Sequence, residues 1–411
     1  METAVWITEI ALLILPGFFL AYMMALSILA LFGGEKKDLT ARRSRVFAVV
    51  VPAHNEELVI ARTLRSLSAM EYDKRLFDVV VVADNCTDET ADLARSAGAA
   101  VLERHDPDHR GKGYALRWCF DRILAPGSRY DAVVVVDADT EISENFLQAI
   151  NRYLEDGAKV IQAADVVLPQ PGAWSPEVTR IALLLFNYVR PLGRRVIGCS
   201  AGLRGNGMCF LSEVLRKNPW DAYSLTEDLE YGLKLLLRGV HVTFAPEAMV
   251  YARMPEEAKN AESQRARWEG GRIPVVRAYA GQLLRTAVRK GSLVYLEALV
   301  DLIMPAFVNV LVISLGLLFV TTGLAAAGLE GADRFIVPWL CVVSMGVAYV
   351  LLGLGAARVE RSAYKALFHL PRYAFWKFVL YLKLSVRGRP DQWVRTTREP
   401  PKAGSDLGRV A

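Results

Sequence analysis

The chain has 411 residues, of which 53% are hydrophobic, and this excess favours a membrane protein. Its formal net charge of +5 is modest, which points to anionic lipid headgroups or phosphorylated substrates and away from a nucleic-acid partner. The five cysteines are scattered and form no CxxC pair, so the composition argues against a disulfide framework and a cysteine zinc site.

Three runs lack any charged residue, namely Ile10–Phe32, Leu302–Leu329 and Phe335–Ala357. Each is long enough to cross a hydrocarbon core, which needs roughly 20 residues. A cleavable signal peptide is the alternative for the first run, but no Lys or Arg precedes it. Basic residues follow it between positions 36 and 45, so the positive-inside rule predicts an outside N-terminus and a cytoplasmic middle section.

Short apolar runs alternate with segments of helical periodicity from Arg45 to about Pro246. The predicted strands cover residues 46–53, 77–84, 99–103, 131–139, 158–164 and 240–246. The predicted helices cover residues 56–70, 88–97, 114–124 and 143–155. Continuous valine-rich runs indicate strands that are covered on both faces, and the alternation predicts an α/β fold with a mainly parallel sheet. In such sheets, ligands bind beyond the carboxyl ends of the strands.

Acidic residues close two of these strands. Asp84 ends one, and Asp137 and Asp139 end another after four valines. A single aspartate in this position is often a turn residue or a helix cap. Two carboxylates on one loop repel each other unless a cation lies between them, and a divalent metal with bound phosphates is the usual solution. Farther along, Asp228 lies in a "TED" triplet that begins a predicted helix, where an acid is also favourable for the helix dipole.

Taken in order, these residues resemble a known signature. Asp84, the pair Asp137 and Asp139, Asp228, and the motif from Gln264 to Trp268 follow the D, DxD, D, QxxRW pattern of membrane-embedded family 2 glycosyltransferases. That group contains cellulose, chitin and hyaluronan synthases and ceramide glucosyltransferase. The resemblance covers about residues 45–268. It implies a GT-A fold, a nucleotide-diphosphate sugar donor and inversion at the anomeric carbon.

The resemblance also implies roles for single residues. Asp228 is the expected general base, and Asp139 the expected ligand of Mg²⁺ or Mn²⁺. The residues expected to bind the donor are Ala53, His54, Glu56, Asp84, Lys112, Asp137, Gln264, Arg267 and Trp268. Many relatives carry two adjacent aspartates where this chain has Ala83 and Asp84, so the details of nucleotide contact are open.

The fold class expected is therefore α/β: a cytoplasmic GT-A domain (Rossmann-like, with a mainly parallel sheet), three transmembrane helices and amphipathic interfacial helices. The expected segments are an N-terminal transmembrane helix (1–33), the catalytic domain (34–262), the QxxRW segment with interfacial helices (263–292), two transmembrane helices (293–357), further interfacial helices (358–390) and a cytoplasmic tail (391–411).

The expected activity is transfer of a hexose or N-acetylhexosamine from a UDP-sugar to a growing glycan, by an integral protein of a bacterial inner membrane. Two alternatives stay open. The first is non-processive transfer of the sugar to a membrane lipid, which would give a glycolipid or a polyprenyl-linked sugar. The "DADT" sequence is also similar to the nucleophile loop of aspartate-dependent phosphatases, in which Asp137 would attack phosphate. A transporter is disfavoured because three spans without internal charge are few for an aqueous path.

Overall fold

The computed structural model of the chain describes residues 2–34, 37–41, 43–168, 174–252 and 258–369. They form two compact units. Among the described residues, the sheet unit contains residues 37–168 and 200–286, and the helical unit contains residues 2–34, 174–199 and 287–369. The interfacial helices predicted beyond residue 369 and the predicted tail lie outside the described residues.

The strands are β1 (Phe47–Ala53), β2 (Phe77–Asp84), β3 (Ala100–Arg104), β4 (Ala132–Val135), β5 (Glu141–Ile142), β6 (Val160–Val167), β7 (Met208–Leu211) and β8 (Val242–Ala252). The helices are α1 (Glu2–Phe32), α2 (Ile60–Ser68), α3 (Thr90–Ser96), α4 (Lys112–Ile123), α5 (Phe146–Glu155), α6 (Trp174–Leu184), α7 (Arg190–Val196), α8 (Ser212–Lys217), α9 (Glu227–Leu237), α10 (Ala258–Lys290), α11 (Leu293–Ile303), α12 (Phe307–Ala326), α13 (Ile336–Ala356) and α14 (Arg361–Ala366).

The sheet unit is built on one eight-stranded mixed sheet, in the order β3-β2-β1-β4-β7-β6-β8-β5. The first four strands pair in parallel, so their carboxyl ends meet at one edge. β7 runs antiparallel to both of its neighbours, β4 and β6. The mainly parallel α/β sheet predicted from the valine-rich runs is therefore confirmed, and the short strands β5 and β7 are additions to it.

The helical unit contains three helices that are long and apolar enough to cross a membrane, Glu2–Phe32, Phe307–Ala326 and Asp333–Ala356. The second begins five residues later than the sequence predicted. Met304 and Ala306 have extended backbone angles on either side of Pro305, and this break separates α11 from α12. Proline cannot donate the hydrogen bond that would continue α11.

The described residues 174–199, between β6 and β7, cluster with the helical unit. The sequence analysis included them in the expected catalytic domain, and that boundary stays a prediction. This insertion carries α6 and α7, joined by a π-helical turn at Leu185–Val189. Its helical periodicity is that of any amphipathic helix, so the pattern alone does not separate it from the sheet unit.

A cluster of charged side chains is buried inside the helical unit. Arg194 Nε lies 2.6 Å from Glu297 Oε1, and Arg194 Nη1 lies 3.0 Å from Asp301 Oδ2. Arg190 also pairs with Asp301. The hydroxyl of Tyr22 donates to Glu297 at 2.5 Å. Two arginines therefore meet two carboxylates, so that no net charge is buried in this layer of α1, α7 and α11.

Candidate active site

The loops after β1 and β2 are joined at the carboxyl edge of the sheet. His54 Nδ1 lies 2.7 Å from the carbonyl oxygen of Asp84, to which it donates. The backbone N–H of Glu56 donates to Thr90 Oγ1 at 2.8 Å. Ala53 is the last residue of β1. The structure therefore brings four of the predicted donor-binding residues into one corner, as expected from strands that end side by side.

The carboxylate of Asp84 is paired with an arginine that the sequence analysis missed. Arg104 Nη1 lies 2.6 Å from Asp84 Oδ1, and the two residues are 4% and 6% exposed. Arg104 Nη2 also donates to Asp106 Oδ2 and to the carbonyl oxygen of His109, each at 2.8 Å. Burial raises the pKa of Asp84, and the Arg104 guanidinium opposes that rise. Arg104 is the last residue of β3. The predicted strand stopped one residue earlier, because a charged residue is not typical of a buried strand.

The DxD loop follows β4 and is held from two sides. Thr63 on α2 donates to the carbonyl oxygen of Ala138 at 2.7 Å. Lys112, the first residue of α4, pairs with the carboxylate of Asp137 and donates to the carbonyl oxygen of Gly205 at 2.5 Å. Burial lowers the pKa of Lys112, but Asp137 and Glu227 outweigh the burial and raise it. Lys112 is therefore a fixed cation beside the predicted metal ligands.

Asp228 lies in the first turn of α9. Its side chain faces the backbone of Gly205, where an added Cβ would stand 3.2 Å from Asp228 Oδ2. Burial raises the pKa of Asp228, and Lys112 and Arg204 lower it. Burial, followed by the charge of Asp228, also raises the pKa of Glu227 to about 7. The site thus concentrates carboxylates that hold protons more tightly than in water, and a general base requires such tuning.

Two further residues of this region were missed by the sequence analysis. Arg204 lies close enough to Asp228 and Asp165 to lower the pKa of both. Burial first, and then the charges of Asp137 and Asp139, raise the pKa of Asp165 to about 7. Asp165 lies within the mostly apolar strand β6. A single acid in such a strand is usually interpreted as a surface residue, so it was not selected as a site residue.

The helix that carries the QxxRW motif passes beside the TED triplet. Thr226 donates to the carbonyl oxygen of Gly271 at 3.2 Å, and a Cβ on Gly271 would lie 3.0 Å from the Thr226 methyl group. Thr226 precedes α9, but its side chain makes no capping hydrogen bond. Gln264, Arg267 and Trp268 lie in α10, and their side chains are outside the described part of the structure.

The carboxylate oxygens at this site fit a divalent cation that binds together with its substrate. In the described ranges, no group of three or more His, Cys, Asp or Glu side chains is arranged to hold a metal. Mg²⁺ is commonly bound by one or two carboxylates together with substrate phosphates and water. Asp139, with Asp137 nearby, offers such a partial set of hard oxygen ligands, so the diphosphate of a donor would complete it.

The part of the chain that carries these residues matches a known protein family. Residues 44–271, more than half of the chain, match the family model described as "Glycosyltransferase like family 2". The probable glycosyltransferase YdaM of Bacillus subtilis is 27% identical over 254 residues, which are 58% of each chain. A poly-beta-1,6-N-acetyl-D-glucosamine synthase of Staphylococcus aureus is 26% identical over 296 residues, which are 65% of this chain and 66% of that protein. The chain thus spans less than two thirds of these curated relatives.

Among solved structures, the mannosyltransferase PcManGT of Pyrobaculum calidifontis, in complex with GDP-Man and Mn²⁺, superposes with a TM-score of 0.55. It is 17% identical, and the match covers 86% of this chain and 97% of that one. At this level of identity the likeness shows the fold, which is a mixed α/β sheet of the GT-A type, as the sequence predicted.

Proposed function

Because the chain belongs to glycosyltransferase family 2, we propose that it is a membrane-bound, inverting enzyme that moves a hexose or N-acetylhexosamine from a UDP-sugar to a growing glycan. The observation that carries this proposal is the position of Asp228. Its half-buried carboxylate lies against the Gly205 backbone, and the Gly205 carbonyl oxygen accepts from Lys112, which also holds Asp137. The proposed proton acceptor and the donor-binding loop are therefore linked through Gly205 and Lys112.

In the proposed reaction, Asp228 accepts the proton of the acceptor hydroxyl as that oxygen attacks the anomeric carbon. The bond from this carbon to the diphosphate oxygen breaks in the same displacement, and UDP leaves with the electron pair. A single displacement inverts the anomeric centre and needs no enzyme nucleophile. The raised pKa of Asp228 suits a group that must take up a proton during turnover.

Charge builds up on the diphosphate as it leaves. A divalent ion held by Asp139 would supply charge neutralisation there. Lys112 is already fixed by Asp137 and Gly205, so its ammonium needs little reorganisation when it faces a phosphate. Arg267 would add a planar guanidinium that matches two phosphate oxygens, and Trp268 a flat surface for a sugar ring.

The donor base would be held in the corner formed by Ala53, His54, Glu56 and Asp84. Uracil presents one N–H between two carbonyl groups, so an ionised carboxylate at Asp84 is a suitable acceptor. Arg104 supports this role because its guanidinium lowers the pKa of an acid that is only 6% exposed and so favours the charged form.

A glycan acceptor and a membrane-lipid acceptor are both compatible with three apolar helices. We favour the glycan, in line with the relative named as a poly-beta-1,6-N-acetyl-D-glucosamine synthase. The proposed topology follows the charge distribution, with the N-terminus outside and the catalytic domain in the cytoplasm, in a bacterial inner membrane. Labelled products from a panel of UDP-sugars, sized and partitioned between water and solvent, distinguish the two acceptors.

The test of the mechanism is Asp228→Asn in full-length protein in lipid. Asparagine keeps the shape of the side chain but cannot accept the proton, so transfer should be lost while UDP binding stays close to that of the wild type. Asp221→Asn is the matched control, because Asp221 pairs with Lys234 and Arg238 and has no role in the proposed reaction. Retained transfer by Asp228→Asn would refute the assignment of the base.

A further inference from the structure

The side chain of Asn206 bridges the two ends of the DxD loop. It is only 4% exposed. Its Oδ1 accepts from the backbone N–H of Asp137 at 3.1 Å, and its Nδ2 donates to Thr140 Oγ1 at 3.0 Å. The Thr140 hydroxyl in turn points to Asp139 Oδ1, 3.5 Å away. One amide therefore contacts the backbone of Asp137, where the loop begins, and reaches the Asp139 carboxylate through a single hydroxyl.

The backbone around Asn206 is also fixed. Its carbonyl oxygen accepts from Gln162 Nε2 at 2.7 Å, and Gln162 Oε1 accepts from the backbone N–H of Arg204 at 2.8 Å. Gln162 is fully buried in β6. Between these two anchors lies Gly205, whose carbonyl oxygen accepts from Lys112. Both sides of the loop are thus held to the sheet.

The two hydrogen bonds of the Asn206 amide need both of its functions. A backbone N–H can only donate, so Oδ1 must face Asp137, and this fixes the orientation of the amide with Nδ2 toward Thr140. An aspartate in this position would accept from Asp137 but could not donate. Leucine would do neither, so the backbone N–H of Asp137 would lose this acceptor and the Thr140 hydroxyl would lose this donor, which is costly.

We propose that Asn206 is a positioning residue, which sets the Asp137–Thr140 loop for metal binding and holds it in register with the loop that faces Asp228. The inference rests on the proposed function. Groups that orient metal ligands without touching the metal typically change metal affinity or activity about 10–100-fold when they are mutated. Asn206 orients Asp139 in this indirect way, because its amide contacts the Thr140 hydroxyl and that hydroxyl contacts the Asp139 carboxylate.

The experiment compares Asn206→Ala with wild type in lipid nanodiscs, with Mn²⁺ binding in the presence of UDP followed by electron paramagnetic resonance. We expect the Kd for Mn²⁺ to rise about 10–100-fold in Asn206→Ala. Thr140→Val removes the hydroxyl and should weaken Mn²⁺ binding in the same direction. Thr140→Ser keeps the hydroxyl and should restore a Kd near that of wild type.

Asn218→Ala is the matched control for stability. Asn218 is also a buried asparagine, 8% exposed, and its Nδ2 donates to the carbonyl oxygen of Val214 at 3.2 Å. It should lower the unfolding temperature without changing Mn²⁺ binding. If Asn206→Ala lowers the unfolding temperature to a similar degree and leaves the Kd for Mn²⁺ unchanged, its role is only structural and the inference is overturned.

The binding measurement needs UDP and Mn²⁺ but no transferable sugar. If the wild type transfers no sugar, the proposed function is contradicted. The role of Asn206 is still judged from the Kd for Mn²⁺. Absence of Mn²⁺ binding by the wild type with UDP would overturn the inference itself.

Discussion

The buried pair of Arg104 and Asp84 gives a prediction whose size follows from the structure. Arg104→Met keeps much of the side-chain length but removes the guanidinium that lies 2.6 Å from Asp84 Oδ1. Because the two residues are only 4% and 6% exposed, water cannot replace the lost partner. Removing one member of a buried ion pair costs about 3–5 kcal/mol of unfolding free energy. In a unit of roughly 200–250 residues this corresponds to a decrease of about 6–20 °C in Tm.

The same variant should show a defined pH dependence. Burial already raises the pKa of Asp84, and loss of Arg104 removes the opposing charge and raises it further. A carboxyl group whose folded-state pKa is raised stabilises the fold below its unfolded pKa, and this stabilisation is lost as the pH rises through the folded value. The destabilisation by Arg104→Met should therefore be larger at pH 8 than at pH 5. Affinity for UDP should fall at neutral pH, because Asp84 is then a poorer acceptor.

Thermal unfolding over a pH series and calorimetric titration with UDP measure both effects. Arg95→Met is the control, since Arg95 pairs with Glu103 on the surface, where such pairs contribute about 0–1 kcal/mol. Adding Asp84→Asn to Arg104→Met should recover stability without recovering UDP binding. The reasoning is refuted if Arg104→Met unfolds at the wild-type temperature and binds UDP with unchanged Kd.

Further predictions concern the base, the metal and the QxxRW helix. Gly205→Ala places a Cβ 3.2 Å from the carboxylate of the proposed base at a φ of +84°, and transfer should fall by up to about 10²-fold. Gly239→Ala has a similar φ of +82° in open space, so it reports the backbone strain alone, and equal kcat values for the two would contradict this account. EDTA should stop transfer and added Mn²⁺ should restore it, whereas full activity in EDTA would remove Asp139 from its role. Arg267→Ala and Trp268→Ala should abolish transfer while the protein stays in the membrane fraction on flotation; release from membranes would indicate an anchor instead.

The sequence was most informative where strands are buried on both faces. The valine runs of β1, β2 and β4 contain no polar residue, so each of them was predicted as a buried strand. The residues that close these strands could be predicted as site residues because parallel strands end at one edge. Short β7 was missed, since its apolar run is only four residues long and follows a glycine-rich loop.

Residues whose roles depend on a distant partner could not be predicted. Neither Arg104 nor Asn206 belongs to a recognisable motif. The role of each depends on a contact with a loop more than 15 positions away in the chain. Asn206 stands between two glycines, a pattern that is typical of any tight turn. The grouping of residues 174–199 with the helical unit could not be predicted for a related reason, because an amphipathic helix does not reveal which surface it covers.

The buried charges of the helical unit have a consequence for synthesis of the protein. Arg190 and Arg194 leave the ribosome about a hundred residues before Glu297 and Asp301, their partners. During that interval the insertion cannot be buried in its final place, because two uncompensated guanidinium groups would enter an apolar layer. The helical unit therefore closes late, after the sheet unit has emerged in full, and a chain that stops before α11 would lack the acids that neutralise it.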